Sequence, residues 1–321
     1  MERKAKDDEI KSWSRGQSEE ESKFEETLRP TSFREFVGQA KTIENLIIAI
    51  KAAKKRRESL DHILFSGLPG LGKTTLARLI SCEMRVPLKQ TAGPILKRPG
   101  DLASTLTKLA DGEILFIDEI HRISKDVEEY LYSAIEDFFI NVPLESGLHG
   151  RTVNINLKRF TLIGATTREG LLSDPFRARF GILEKLESYP PEEIQKIVNR
   201  SAKILNVKID EESSLEIARR SRGVPRLANR YLRRIRDLAQ VKADNVIDMK
   251  ITAEGLRMLG VDQEGLDNTD RKILTTLVSH QGAAVGLKTI AVAVGEEEDT
   301  IEEVYEPYLI QCHFVRAGFC G

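Results

Sequence analysis

Two short apolar runs, each ending in a polar signature, constrain the fold of this 321-residue chain more than any other feature. The first, HILFSG at 62–67, runs into Gly67, Gly70, Gly72, Lys73, Thr74 and Thr75 and then into an amphipathic pattern over 74–84. The second, EILFIDE at 113–119, ends in Asp118 and Glu119. A strand, a glycine-rich turn and a helix N-terminus make a phosphate cradle. The glycines let successive N–H groups converge on the anion, and the helix dipole favours its charge. Lys73 neutralises β- and γ-phosphate charge, and Thr74 offers a hydroxyl to Mg²⁺. Asp118 is placed to hold Mg²⁺, and Glu119 to polarise an attacking water as general base. A chance glycine turn with a stray lysine fits poorly, because strand, helix and acidic strand end all accompany it. ATP and Mg²⁺ are the expected cofactors.

The alternation of strand-like and helical runs continues around these two. FTLIGATT at 160–167 reads as a third strand, and 41–55, 101–110 and 125–138 as helices, which argues for an α/β fold with a parallel sheet covered by helices. The stretch 140–158 breaks the alternation with two arms, apolar at alternate positions, around a glycine-containing tip, and reads as a protruding β-hairpin. Tyr189-Pro190-Pro191 marks a boundary, after which the chain reads as helices only to about Gly260, a small all-α lid. Three short helical patterns follow Gly265, capped first by Asn268 or Thr269, and suit a winged-helix module. The expected domains are a disordered charged tail at 1–23, a large ATPase domain at 24–187, the lid at 188–262 and a truncated winged-helix domain at 263–321. Trp13, the single tryptophan, falls in the tail.

Composition narrows the class. Forty-nine basic and 50 acidic residues give a net charge of −1, so any nucleic-acid contact must come from local patches. Cys82, Cys312 and Cys320 have no metal or CxxC spacing, and their odd number fits a reducing cytoplasm. No apolar run reaches the ~18 residues of a membrane span, and the N-terminus lacks the apolar stretch of a secretory signal.

Further candidates are weaker on their own. Thr166 and Thr167 end the third strand, where a hydroxyl can sense the γ-phosphate, though threonine is also an ordinary strand residue. Asp174-Pro175-Phe176-Arg177-Ala178-Arg179 is a turn presenting two arginines. One is a candidate finger for a neighbouring subunit's γ-phosphate, and a surface salt bridge is the plainer reading. Arg226, after the helix-starting Pro225, is a candidate sensor in the lid. Arg230, Arg233, Arg234 and Arg236 on the same helix read mostly as a solvated or subunit-interface face.

Taken together, GLPGLGKTTLA, ILFIDEIHR, LYSAIEDF, GATTREGLLSDPFRARFGI, RGVPRLA and VYEPYL resemble the AAA+ class and, within it, the RuvB family of Holliday-junction branch-migration motors. The resemblance implies an ATP-hydrolysing DNA translocase that forms a homo-hexamer around duplex DNA. It acts on four-way junctions with RuvA, docked through the 140–158 hairpin, and with RuvC indirectly. It implies an adenine pocket of Leu28, Arg29 and Tyr189, and phosphate and Mg²⁺ contacts at Gly70, Lys73, Thr74, Thr75 and Asp118. Glu119 is the implied base. Glu136, Asp137 and Phe138 belong to a segment that approaches the nucleotide. Thr167 is the implied sensor 1, Arg179 the trans-acting finger and Arg226 sensor 2. Val142, Leu144 and Leu148 are the apolar tip candidates for RuvA.

One departure carries an alternative. The family's third domain ends in a basic wing, whereas here CHFVRAGFCG closes the sequence. Residues 265–321 hold four basic and nine acidic residues, a net −5, and Glu302, Glu303 and Glu306 lie on the would-be recognition helix. Carboxylates repel phosphate, so the expectation is weak direct DNA binding there. The alternative reading is an ATP-binding interaction subunit defective in DNA grip.

Overall fold

The computed structural model describes residues 24–143, 152–280 and 283–316. The 1–23 tail with Trp13, the hairpin tip with Leu144 and Leu148, Cys320 and the final residues lie outside the described residues, as does the side chain of Val142. The chain divides into two compact units, Ser32–Ser188 and a second made of the N-terminal segment up to Thr31 with Tyr189 onward.

The first unit is a five-stranded parallel sheet in the order β2-β3-β6-β1-β7. In chain order its elements are α1 (Ala40–Arg56), β1 (Ile63–Ser66), α2 (Lys73–Met84), β2 (Leu88–Ala92), α3 (Pro99–Leu106), β3 (Ile114–Asp118) and α4 (Lys125–Glu136). Then come β4 (Phe139–Pro143), β5 (Thr152–Asn156), β6 (Thr161–Thr166), the short α5 (Asp174–Arg177) and β7 (Ile182–Lys185). β1, β3 and β6 are the apolar runs of the sequence, and they are buried because helices cover them. β2 and β7 add two strands to those the apolar runs mark. They are the edge strands, and half-exposed residues such as those of Ile182–Lys185 carry no continuous apolar signal. β4 and β5 form the antiparallel hairpin, with Ile140 opposite Ile155.

The core under this sheet joins Leu115, Ile117, Phe160 and Leu162 to Leu131, Ala134 and Ile135 of α4, and to Phe176 and Phe180. His62, just before β1, ties the layers together. Its Nδ1 accepts from the Leu162 N–H at 2.9 Å, so Nε2 carries the proton and donates to the Ile135 carbonyl at 3.1 Å.

The second unit holds α6 (Pro191–Ile204), β8 (Lys208–Ile209), α7 (Glu211–Arg220), α8 (Pro225–Lys242), β9 (Val246–Ile247) and α9 (Met249–Met258). β8 and β9 pair in parallel, which corrects the expectation of helices only; two-residue strands leave no period to read. Residues 24–31 group with this unit rather than with the sheet domain. The reason is visible in the contacts: the Phe24 ring lies under the guanidinium groups of Arg233 and Arg236, at 4.6 and 5.7 Å.

α10 (Asn268–Ser279), α11 (Leu287–Val294) and a final helical stretch ending in α12 (Glu306–Gln311) complete the unit around Leu266, Ile273, Ile290, Ile301 and Leu309. The cap of α10 is Asp267, one residue earlier than expected. Its carboxylate accepts from the N–H groups of Thr269 and Asp270, and the Asp270 carboxylate accepts from the Asp267 N–H in return.

Lid and winged-helix residues meet at one buried ion pair. Arg222, in the left-handed region at φ 56°, reaches both carboxylate oxygens of Asp270, which is fully buried. Its Nε donates to the Gly265 carbonyl at 2.9 Å, and its guanidinium carbon lies 4.8 Å from the Tyr308 ring centre. Burial pushes the Asp270 carboxyl up to about 6 against the pull of Arg222. Burial also works against the Arg222 guanidinium, but the charges of Asp270 and Asp267 outweigh it and keep the group above its ordinary value. Replacing Asp270 by Asn leaves the buried cation only Asp267, at 3.5 Å, as a charged partner, so Asp270→Asn should lower unfolding free energy by up to about 3–5 kcal/mol, read by chemical denaturation at pH 7.5.

Candidate functional site

At the carboxyl end of β1 the chain turns through Gly67, Gly70 and Gly72, at φ 132°, 82° and 105°, into α2. Gly67 is required twice over. Its φ is outside the range of other residues, and a Cβ there would lie 2.5 Å from the Leu186 carbonyl oxygen. Lys73 begins α2, is buried, and donates through Nζ to the carbonyls of Gly67 and Leu68 at 2.6 and 2.8 Å. Its ammonium therefore caps the loop that Thr74 and Thr75 follow on the first turn of the helix. An N-terminal turn with its N–H groups directed into a glycine loop is a site for an oligophosphate. A hydroxyl at Thr74 and a carboxylate at Asp118 form the hard oxygen set that Mg²⁺ takes.

β3 ends at the same carboxyl edge of the sheet, with β6 between it and β1. Asp118 Oδ1 accepts from the Glu119 N–H at 3.0 Å, and Glu119 adopts φ 48°. A left-handed residue without glycine's freedom persists only where its surroundings fix it. Gly93 does part of this, because a Cβ there would stand 2.3 Å from the Glu119 carbonyl oxygen. The Glu119 carboxylate pairs with Arg122 at 3.0 Å. Neither Gly93 nor Arg122 was singled out from sequence; close backbone approach leaves no pattern in one chain.

The two threonines at the end of β6 separate. Thr166 is buried, sits 3.0 Å from His121 Nδ1 and accepts from the Arg168 N–H at 3.0 Å. Thr167 lies one residue past the strand and is partly exposed. Of the pair, Thr167 is the one with access to a ligand, and Thr166 ties β6 to the turn after Glu119.

A second cluster stands at the other end of the sheet. Ile182 begins β7 opposite Ile63, the first residue of β1, so the Asp174–Arg179 turn leaves the amino edge. Ser173 caps α5 by accepting from the Phe176 N–H, and Phe176 and Phe180 anchor the turn in the core. Arg177 pairs with Asp174 at 2.5 Å and with Glu169 at 3.8 Å, so the plain salt-bridge reading holds for it. Arg179 instead meets α4. Its Nη1 is 2.9 Å from Glu136 Oε1, its Nη2 donates to the Tyr132 hydroxyl, and its guanidinium carbon lies 4.7 Å from the Tyr132 ring centre. The Tyr132 hydroxyl, ahead of Glu136, holds the guanidinium above its ordinary value.

Glu136, Asp137 and Phe138 share this amino edge. The Phe138 ring packs 6.3 Å from His62 and edge-on to Phe160 at 5.9 Å. Four residues of β1, roughly 13 Å of strand, separate that edge from the glycine loop. Glu136, Asp137 and Phe138 therefore stand at the edge opposite the glycine loop of their own chain.

In the second unit, Leu28 and Tyr189 are buried. Arg200, unsuspected from sequence, donates to the carbonyls of Leu28 and Arg29 at 2.7 and 3.3 Å, and the Tyr189 N–H donates to the Gly223 carbonyl. Arg226 forms a two-pronged pair with Glu25, at 2.5 and 3.1 Å.

The chain matches three families end to end. These are the Holliday junction DNA helicase RuvB P-loop domain over residues 28–186, the RuvB AAA lid domain over 189–262 and the RuvB C-terminal winged helix domain over 263–319. It is 55% identical over 302 residues to the Holliday junction branch migration complex subunit RuvB of Flavobacterium johnsoniae, covering 94% of this chain and 89% of that one. To the subunit of the same name from Chlorobaculum tepidum it is 55% identical over 296 residues, 92% and 86% of the two chains. The solved structure of the Thermotoga maritima RuvB Holliday junction branch migration motor superposes with a TM-score of 0.83 at 46% identity, covering 92% of this chain and 94% of that one. The matches run through all three domains and do not favour the alternative of an interaction subunit. Among the described residues no helix is long and apolar enough to cross a membrane.

Burial, opposed by the Ile135 carbonyl and Asp61, lowers the pKa of His62 below 6.5. An imidazole depressed in the folded state contributes stability that is fully present above the unfolded value and lost as pH falls below it. His62 should therefore contribute a fall in stability between pH 7 and 5, while Asp270, its carboxyl raised to about 6, contributes with the opposite sign over the same window. In His62→Gln, which keeps one donor and one acceptor, that fall should be smaller, as denaturation series at both pH values will report.

Proposed function

The chain belongs to the RuvB family, and from that premise we propose that it is an ATP-driven motor that moves four-way DNA junctions, working as a homo-hexameric ring with RuvA. The observation that supports this most directly is the split of the site. The phosphate loop, Asp118, Glu119 and Thr167 leave the carboxyl edge of the sheet, while Arg179 and Glu136–Phe138 leave the amino edge. A chain with half a site on each edge completes its nucleotide site only with a neighbour, and a ring supplies one at every interface.

In this reading Leu28, Arg29 and Tyr189 hold the adenine, and Gly70, Lys73, Thr74 and Thr75 hold the phosphates. Thr74 and Asp118 hold Mg²⁺, which supplies charge neutralisation at the β- and γ-phosphate oxygens. Glu119 takes the proton of the attacking water as its oxygen bonds to the γ-phosphorus and the bond to ADP breaks. Thr167 orients that water. Arg179 of the adjoining subunit and Arg226 neutralise the charge that develops. Glu136, Asp137 and Phe138 approach the nucleotide of the adjoining subunit. The hairpin, with Val142, Leu144 and Leu148, docks on RuvA, RuvC joins indirectly, and the winged-helix domain faces DNA. The place of action is the cytoplasm.

Arg179→Ala should bind ATP as the parent does and hydrolyse it roughly 10³-fold more slowly, the lower end of finger contributions. With RuvA and a synthetic four-way junction it should support no ATP-dependent movement. Turnover equal to the parent would sink the trans-acting assignment.

A further inference from the structure

Arg179 is not presented by its own turn alone. A free arginine explores many rotamers, and a finger must reach a phosphate in one of them. Here three features of α4 hold it: its guanidinium carbon lies over the Tyr132 ring at 4.7 Å from the ring centre, the Tyr132 hydroxyl accepts from Nη2, and Glu136 faces Nη1 at 2.9 Å. The Tyr132 ring and hydroxyl and the Glu136 carboxylate together restrict the guanidinium. Two of the five N–H donors face these partners, and three remain for an incoming anion. The support is itself rigid. Leu131, Ala134 and Ile135 of α4 are buried, and His62 holds the Ile135 carbonyl from below. Tyr132 thus stands on a pinned helix, whereas Arg179 stands on a turn.

We propose that Tyr132 is a positioning residue for Arg179, orienting the guanidinium toward the γ-phosphate bound by the adjoining subunit. The inference rests on the ring and trans-finger reading above. Tyr132 also packs against the core, so a stability change alone does not separate the two roles. A positioning role predicts a defect in turnover without a defect in ATP binding, and one expressed in the neighbour's site.

The test uses the full chain in ATPase assays. Tyr132→Leu should lower kcat by about 10- to 100-fold, the scale of a misplaced catalytic group, with KM for ATP within about two-fold of the parent. Tyr132→Phe, which keeps the ring, should fall between the two. Mixed rings then assign the defect to a site. Glu119→Gln subunits lack their own base but carry an intact finger, so mixing them with Tyr132→Leu subunits should restore turnover. The control is the same mixture with Arg179→Ala subunits. Restoration in the control but not with Tyr132→Leu would place the effect of Tyr132 inside its own subunit and overturn the proposal. Restoration in neither would remove the trans finger and the proposal with it. Parental kcat in both Tyr132 variants would also overturn it.

Discussion

In a sheet whose strands all run the same way, every loop that follows a strand leaves one edge and every loop that precedes one leaves the other. The five parallel strands of the N-terminal unit obey this, and the chemistry is sorted accordingly. The glycine loop follows β1, the acidic pair ends β3 and the threonines end β6. The arginine turn precedes β7, and the Glu136–Phe138 segment is carried to the amino edge by α4. That helix starts near the end of β3 and runs back along the sheet for 12 residues, about 18 Å at helical rise. Strand polarity alone therefore separates the glycine loop, the acidic pair and the threonines from the arginine turn and the Glu136–Phe138 segment.

The second unit depends on a different kind of constraint. Its lid and winged-helix residues join through Arg222 and Asp270, a fully desolvated pair backed by the Gly265 carbonyl and the Tyr308 ring. Isolated charges at that depth cost several kcal/mol each, so the pair survives because each charge is satisfied by the other and by fixed dipoles. Arg222 lies four residues before Arg226, and its left-handed backbone together with Gly223 sets the start of α8. The geometry of the lid helix is thereby linked to the first turn of α10.

Much of this was legible in the sequence, and the exceptions have physical causes. The buried strands, the glycine loop and the acidic pair carry continuous apolar runs and residue types that little else explains. The hairpin arms showed in alternation, and β4 and β5 lie where the pattern put them. The edge strands β2 and β7 were invisible because exposure on one side removes the apolar signal. The cap at Asp267 was missed because Asn268 and Thr269 are equally good capping residues by type. Tyr132, Gly93, His62 and Arg200 act through contacts 26 to 172 positions away in sequence, which no local pattern reports. The motif at Glu136–Phe138 names positions without saying which sheet edge they leave.

The arginines separate by how they are paired. Arg222 is 5% exposed at its side chain and its partner is not exposed at all, whereas Arg226 is 61% exposed and Arg179 38%. An exposed pair contributes about 0–1 kcal/mol, while breaking a buried one costs about 3–5 kcal/mol. The partners of Arg226 and Arg179, Glu25 and Glu136, can therefore yield to a competing anion at little expense, and Asp270 cannot. A γ-phosphate offers more acceptor oxygens than one carboxylate and a higher charge, so in the proposed site it would outcompete surface partners of this strength. Buried Arg222 is a fixed joint, whereas an exposed arginine keeps a carboxylate partner that an anion can replace, and Arg179 is held in place besides by the Tyr132 ring and hydroxyl.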